Sequence, residues 1–203
     1  MRDPLAAAEA NNFLGEGLLT DSEIEEFIAV VDQLRLDLPA AFDRQWNDPV
    51  SFGEGYVITA SRNAATGTLI SYHGVRKTSK GYALISGDER GYEGIRATFS
   101  RFEDAVKGYA AEIISAIRWT ENLGPVAWMW NGGVGGGVGV QSLNPPYDTE
   151  FRFFLEDDPK VWIEGRKIDA TLTQGFSMQI SEFIAAILTH PRVTAKDTTA
   201  WNK

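Results

Sequence analysis

The sequence contains no cysteine and only two histidines among its 203 residues. Without cysteine, the chain has no disulfides, thiol catalysis, iron–sulfur clusters or cysteine-ligated zinc. His73 and His190 are far apart in the sequence and belong to no HExxH or HxH pattern. We therefore expect no metal site and no catalytic residue of these types.

Basic residues are also scarce, since 19 Lys and Arg face 28 Asp and Glu, for a net charge of −9. Nucleic acids and anionic membrane surfaces are bound by clustered basic residues, so we expect neither partner. No apolar run approaches the ~18 residues of a membrane span, and no basic segment followed by an apolar one opens the sequence. Together with the missing cysteine, these features predict a cytoplasmic protein whose charge suits a basic partner.

The first quarter of the chain, which holds most of the excess negative charge, predicts an acidic helix. Thr20 and Glu23 have the spacing of a capping box, and Pro39 ends the helix. A short second helix is expected over residues 40–46. The apolar stripe at helical spacing consists of Ile24, Phe27, Ile28, Val31 and Leu34. Residues 1–50 are therefore expected to form an acidic helical segment.

The rest of the chain predicts runs of strands interrupted by two helices. A meander is expected at Tyr56–Ala60, Thr68–Val75, Gly81–Ser86 and Tyr92–Phe99, with turn-forming segments between the strands. Later strands are expected at Val126–Trp130, Tyr147–Leu155, Val161–Glu164 and Arg166–Leu172. The helices are expected from Phe102 to Trp119 and over Ser177–Leu188. The pattern predicts an α+β fold, an antiparallel sheet packed against about three helices. It also predicts one domain over residues 51–190 and a polar tail over 191–203.

A glycine-rich segment covers Gly132–Val140. Its spacing fits neither the GxGxxG dinucleotide pattern nor a phosphate loop, so we expect no cofactor. Because glycine permits close backbone approach, one interpretation is a loop over residues 131–140 that enters a partner's cleft. The other is a mobile connection between two strands. On the first interpretation, the contact residues are Asn131, Gly133, Gly135, Gly136 and Gly137.

Two tryptophans precede the glycine-rich segment on a predicted strand. Trp128 and Trp130 have the same parity, so both side chains point to one face of the strand. They are either core residues or, if that face is exposed, interface anchors, because tryptophan is enriched at binding hot spots. We include them among the candidate partner-binding residues.

A charged segment separates two strands of the predicted meander. Asp88, Glu89 and Arg90 form either a self-paired turn or a loop that contacts a partner. Surface ion pairs contribute only ~0–1 kcal/mol to stability, so stability alone does not require these charges. They complete the set of candidate partner-binding residues.

The residues around this turn resemble a known family. Gly81–Gly91 and then Phe99–Val106 are similar to the strand–turn–strand–helix segment of certain bacterial immunity proteins, and residues 55–190 resemble them more loosely. These antitoxins belong to polymorphic toxin systems and neutralise NAD glycohydrolases of the tuberculosis-necrotizing-toxin type. The resemblance implies a cytosolic inhibitor, without enzymatic activity, that plugs the toxin's NAD-binding cleft.

Three hypotheses for function remain open at the level of sequence. The first is a toxin-neutralising protein whose partner is a toxin that is basic or has a basic active-site cleft. The second is a chaperone or adaptor for a secreted protein. The third is a small-ligand-binding α+β domain with a pocket lined by aromatic and carboxylate side chains.

Overall fold

A computed structural model gives the fold of the chain and describes residues 17–39, 46, 48–90, 92–120 and 133–189. The chain divides into two compact units, Met1–Val106 and Lys107–Lys203, and the boundary falls within a helix. Every strand pair presented below is antiparallel, and helices accompany the strands in both units. The predicted α+β class is confirmed, whereas the predicted domain boundaries at residues 50 and 190 stay predictions.

The first unit begins with helix α1, Asp21–Asp37, whose N-terminus is fixed by the predicted capping box. The Glu23 N–H donates to the Thr20 hydroxyl over 3.2 Å, and the Thr20 N–H donates to the Glu23 carboxylate over 2.7 Å. These bonds satisfy two backbone donors that the helix cannot satisfy itself. Three residues of the predicted apolar stripe, Phe27, Val31 and Leu34, are buried, and Ile24 and Ile28 are partly buried.

Five strands follow α1 as an antiparallel meander in which each strand pairs with the next. They are β1 Ser51–Gly53, β2 Tyr56–Arg62, β3 Leu69–Thr78, β4 Gly81–Asp88 and β5 Glu93–Phe99. The four predicted strands are confirmed, and β1 is an additional strand that the sequence pattern did not indicate. The Asn63 side chain caps the β2–β3 turn, since its oxygen accepts the N–H groups of Ala65 and Thr66.

Helix α1 is attached to the meander through Glu23. Besides capping the helix, its carboxylate accepts a hydrogen bond from the Tyr82 hydroxyl and lies 3.5 Å from the Lys77 ammonium. Burial, and then the hydrogen bond to Glu23, raises the pKa of Tyr82. One carboxylate thus serves both the helix terminus and the contact between helix and strands.

Helix α2, Phe102–Thr120, follows β5 and contains the boundary between the two units. At its start the Phe102 ring packs edge-on against Tyr82, with ring centroids 5.4 Å apart. Five apolar residues that recur at helical spacing along this helix are buried, namely Phe102, Val106, Tyr109, Ile113 and Ile117. Polar side chains of the helix are buried as well, at Asp104, Lys107 and Arg118, so burial is not confined to the apolar side.

The second unit contains three further antiparallel strands and a C-terminal helix. The elements are β6 Val138–Ser142, β7 Phe151–Leu155, β8 Trp162–Gly165 and α3 Ile180–Leu188. The strands predicted at Tyr147–Leu155 and Val161–Glu164 correspond to β7 and β8, which pair with each other. Strand β7 starts later than predicted because the Asn144 side-chain oxygen accepts the N–H groups of Thr149 and Glu150, which holds the preceding residues in a turn.

The strand predicted at Arg166–Leu172 is wrong, because residues Lys167–Gly175 form a 3₁₀ helix. The Asp169 carboxylate accepts the Arg166 N–H over 2.7 Å, and the Thr173 hydroxyl donates to the Ala170 carbonyl over 2.5 Å. These local side-chain bonds satisfy the backbone of a tight helical turn. They outweigh the strand preference of the β-branched residues in this segment.

Several predicted elements lie outside the described residues: most of the short helix at 40–46, the strand at Val126–Trp130 and the tail at 191–203. No helix in the described part of the chain has the length and apolarity needed to cross a lipid bilayer.

Replacing Thr20 with alanine tests the cap of α1. Thr20→Ala removes the hydroxyl that accepts the Glu23 N–H, and we expect the free energy of unfolding to fall by about 1 kcal/mol. Chemical denaturation measures the change. Ser22→Ala, at an exposed position in the first turn of the same helix, is the matched control, and an equal loss in both variants would contradict the role of the cap.

Candidate partner-binding surface

The turn between β4 and β5 carries the charged residues singled out in the sequence. Asp88 ends β4, and its carboxylate accepts the Arg90 N–H over 2.9 Å while lying 3.6 Å from the Arg90 guanidinium. The Asp88 N–H donates to the Tyr92 carbonyl over 3.1 Å, which closes the turn. The Arg90 side chain is nevertheless 82% exposed and Tyr92 is 75% exposed. The turn is therefore self-paired at Asp88 and still presents two large side chains to solvent.

A buried polar network fixes the strands beside this turn. The Arg76 guanidinium forms a bidentate ion pair with the Glu93 carboxylate, with 2.9 Å between Nη2 and Oε2. The Tyr72 hydroxyl donates to the same carboxylate over 2.7 Å. Only 9% of the Arg76 side chain and 13% of the Glu93 side chain are exposed. Glu93 is the first residue of β5, so the network fixes the point at which the turn becomes strand.

The network needs a glycine on β4, the strand that separates Tyr72 and Arg76 on β3 from Glu93 on β5. In the sheet register, Gly87 on β4 lies between Tyr72 on β3 and Glu93 on β5. A Cβ atom at Gly87 would come within 2.3 Å of the Tyr72 ring. The missing side chain lets the ring lie over β4 and its hydroxyl reach Glu93.

Burial and the hydrogen bond to Glu93 raise the pKa of Tyr72 well above its ordinary value. The carboxylate accepts a hydrogen bond from the protonated phenol, whereas an ionised phenol would bring a second negative charge to hydrogen-bond distance of that carboxylate. Tyr72 therefore stays protonated as part of the network.

Exposed apolar side chains lie on both sides of the turn. Ile70 on β3 accepts the Glu89 N–H at its carbonyl over 3.2 Å. Ile95 follows Glu93 by two positions on β5 and therefore projects from the same side of the strand. Both side chains are about half exposed. We define the β4–β5 surface as the exposed residues Ile70, Glu89, Arg90, Tyr92 and Ile95.

The β4–β5 surface contains two residue types that are enriched at protein interfaces, at Tyr92 and Arg90. Tyrosine and arginine are enriched at hot spots, where large side chains on a rigid support contribute most of the binding energy. The sequence pointed to Asp88, Glu89 and Arg90 but missed Tyr72, Arg76 and Glu93. The even spacing of Tyr72 and Arg76 along β3 placed both on one face, yet nothing local identified Glu93 as their partner.

The candidate glycines directly precede strand β6 in the second unit, and three of them are hydrogen-bonded to their surroundings. The Gly135 N–H donates to the Thr173 hydroxyl over 2.8 Å, and the Gln174 amide donates to the Gly133 carbonyl over 3.4 Å. The Gly137 carbonyl accepts the Glu156 N–H over 2.9 Å. Gly136 has open space around it.

The predicted loop over residues 131–140 is wrong at its C-terminal end, because Val138–Val140 belong to strand β6 and pair with β7. Glycine at position 139 suits this strand, since a Cβ atom there would come within 2.5 Å of the Phe154 ring. Trp128, Trp130 and Asn131 lie outside the described residues. Their role in partner binding stays a prediction.

No family model matches the chain. No curated protein matches it either. Among solved structures, the chain is similar to Rv3902c from M. tuberculosis, with a TM-score of 0.53 over 86% of this chain and 91% of that one. Because the sequence identity is only 11%, this similarity establishes a shared fold and no more.

Replacing Tyr72 with phenylalanine tests the network through pH. The pKa of Tyr72 is higher in the folded state than the value near 10 of unfolded tyrosine, so the folded state holds the proton more tightly. This stabilisation is complete below pH ~10 and is lost as the pH rises above that value. We expect Tyr72→Phe to lose stability at neutral pH and to show a smaller further loss than wild type above pH ~10.

Denaturation across the alkaline range measures this effect. Tyr92→Phe, which removes an exposed hydroxyl, shows whether loss of any tyrosine hydroxyl acts in the same way. Identical alkaline slopes for wild type and Tyr72→Phe would refute the contribution of the Tyr72–Glu93 hydrogen bond.

Adding a methyl group at Gly87 tests the close packing on β4. Gly87→Ala places a Cβ atom against the Tyr72 ring, and we expect a loss of about 1–3 kcal/mol in the free energy of unfolding. Gly136→Ala is the matched control, because a Cβ atom there meets nothing within 4 Å. Thermal unfolding compares the two variants, and an unchanged melting temperature for Gly87→Ala would contradict the packing.

Proposed function

We propose that this chain is an immunity protein that binds a cognate NAD-degrading toxin and blocks the toxin's active-site cleft. The observation that carries the proposal is the exposure of Tyr92 and Arg90 on a turn anchored by the buried Arg76–Glu93 pair. The buried pair fixes the start of β5 beside the turn, and order that exists before binding reduces the entropy lost on binding, which favours tight inhibition.

The position of the β4–β5 surface in the sequence supports the same proposal. Of the two segments that resemble toxin-neutralising immunity proteins, the first, Gly81–Gly91, includes strand β4 and the turn residues Glu89 and Arg90. The second, Phe99–Val106, contains no residue of the β4–β5 surface. The resemblance and the exposed surface, which were identified on separate grounds, therefore overlap at Glu89 and Arg90.

The net negative charge of the first unit also favours a toxin with a basic cleft as the partner. The first unit, which carries the β4–β5 surface, has 17 acidic and 10 basic side chains, a net charge of −7. An excess of one sign attracts a partner of the opposite sign and raises the rate of encounter. The toxin would be captured by charge and then held by Tyr92, Arg90 and the neighbouring isoleucines.

Replacing Tyr92 with alanine tests the surface. We expect Tyr92→Ala to weaken binding of the cognate NAD glycohydrolase domain by about 30-fold, equivalent to ~2 kcal/mol. Titration calorimetry measures the affinity, and inhibition of NAD hydrolysis gives the functional readout. Tyr147→Ala removes an equally exposed tyrosine from the second unit and is the matched control.

The proposal and the choice of surface can fail separately. Folded wild-type chain that leaves NAD hydrolysis unchanged at a molar excess, and does not rescue cells producing the toxin, would refute the immunity function. Inhibition by wild type that Tyr92→Ala and Arg90→Ala both retain would keep the function and reject the β4–β5 surface.

A further inference from the structure

Strand β6 has an open edge in the described part of the chain. Only β7 pairs with it there, in a register that places Val140 opposite Phe153. The Leu143 N–H donates to the Glu150 carbonyl, and the Glu156 N–H donates to the Gly137 carbonyl, both over 2.9 Å. The odd-numbered residues of this strand therefore bond to β7. The N–H and C=O groups of Val138, Val140 and Ser142 point to the open side.

The open edge lacks the usual devices against strand addition. Proteins protect such edges with charged side chains, prolines or bulges, yet Val138–Ser142 reads Val-Gly-Val-Gln-Ser and pairs with β7 without a register shift. The Val140 side chain is 50% exposed. The strand also belongs to a longer uncharged segment, because residues 122–147 include no Asp, Glu, Lys or Arg. An edge of this kind is a template for another strand.

We propose that the open edge of β6 binds β6 of a second copy of this chain. An antiparallel arrangement about a twofold axis at Val140 places Val140 opposite itself and Val138 opposite Ser142. The outward groups of these residues then form about six hydrogen bonds between the chains. The arrangement is isologous, so it closes as a dimer and leaves no template for further addition at this edge.

The charge distribution favours a second copy over a basic partner. The second unit has 11 acidic and 9 basic side chains, a net charge of −2, against −7 for the first unit. An uncharged strand in a nearly neutral unit offers a basic partner no electrostatic complementarity. Two copies of this strand can pair with little electrostatic repulsion. Self-association at β6 is thus separate from the charge-assisted capture proposed for the β4–β5 surface.

The first test is the mass of the full chain in solution as a function of concentration. We expect sedimentation equilibrium to show the weight-average mass rising from 22.4 kDa towards about twice that value as concentration increases. Val140→Pro removes an outward N–H without removing a bond to β7, and we expect that variant to stay monomeric. Val140→Thr keeps the N–H and the strand preference, and we expect it to dimerise like wild type.

Crosslinking provides a second readout that does not depend on the proline variant's folding. Because the chain has no cysteine, Val140→Cys introduces a single thiol at the twofold axis. We expect a short bis-maleimide reagent to convert this variant to a covalent dimer much faster than Ser177→Cys, whose thiol would be exposed elsewhere in the second unit.

The results separate this proposal from the proposed function. Wild type that is monomeric at all concentrations, or equal crosslinking of the two cysteine variants, would overturn self-association whatever the toxin assays show. If wild type is monomeric and Val140→Pro abolishes toxin binding, the open edge of β6 binds the toxin. The proposal that the edge binds a second copy is then rejected. A dimer that Val140→Pro dissociates supports the proposal even if no toxin is bound.

Discussion

The ion pair between Arg76 and Glu93 is the interaction on which the first unit depends. The two residues lie on β3 and β5, and β4 runs between them, so the pair crosses a whole strand. The β4 residues that lie opposite the two partners are small, Ala83 opposite Arg76 and Gly87 opposite Glu93. Three strands are thereby held in one register, since a slip would leave buried charges unpaired.

The ion pair also determines the geometry of the strand end beside the β4–β5 turn. A buried ion pair contributes less to net stability than its Coulomb energy suggests, because both charges lose their hydration on folding. Its contribution here is geometric. It fixes the start of β5, the strand that Tyr92 directly precedes. The buried network and the exposed Tyr92 side chain therefore lie next to each other at one end of this strand.

The parts of the fold that the sequence predicted are those specified by neighbouring residues. The capping box of α1 needs only Thr20 and Glu23, and the meander needs short turns between β-branched segments. What could not be predicted depends on residues far apart in sequence. Glu93 became recognisable as a partner of Tyr72 only once the strand register was known. Strand β6 was missed because glycine, which disfavours strands, is required there by the Phe154 ring. The 3₁₀ helix was missed because one side chain, Asp169, outweighed the preference of its neighbours.

The contact between Gly87 and the ring of Tyr72 makes substitutions at these two positions interdependent, although the positions are distant in the sequence. Any side chain at 87 collides with the ring, and a smaller residue at 72 leaves a gap above the glycine and a carboxylate with one donor fewer. A substitution at either position alone is therefore destabilising. Homologous chains are thus expected to conserve the two residues as a pair or to exchange both at once, so that this contact restricts sequence divergence even where the surrounding strand varies.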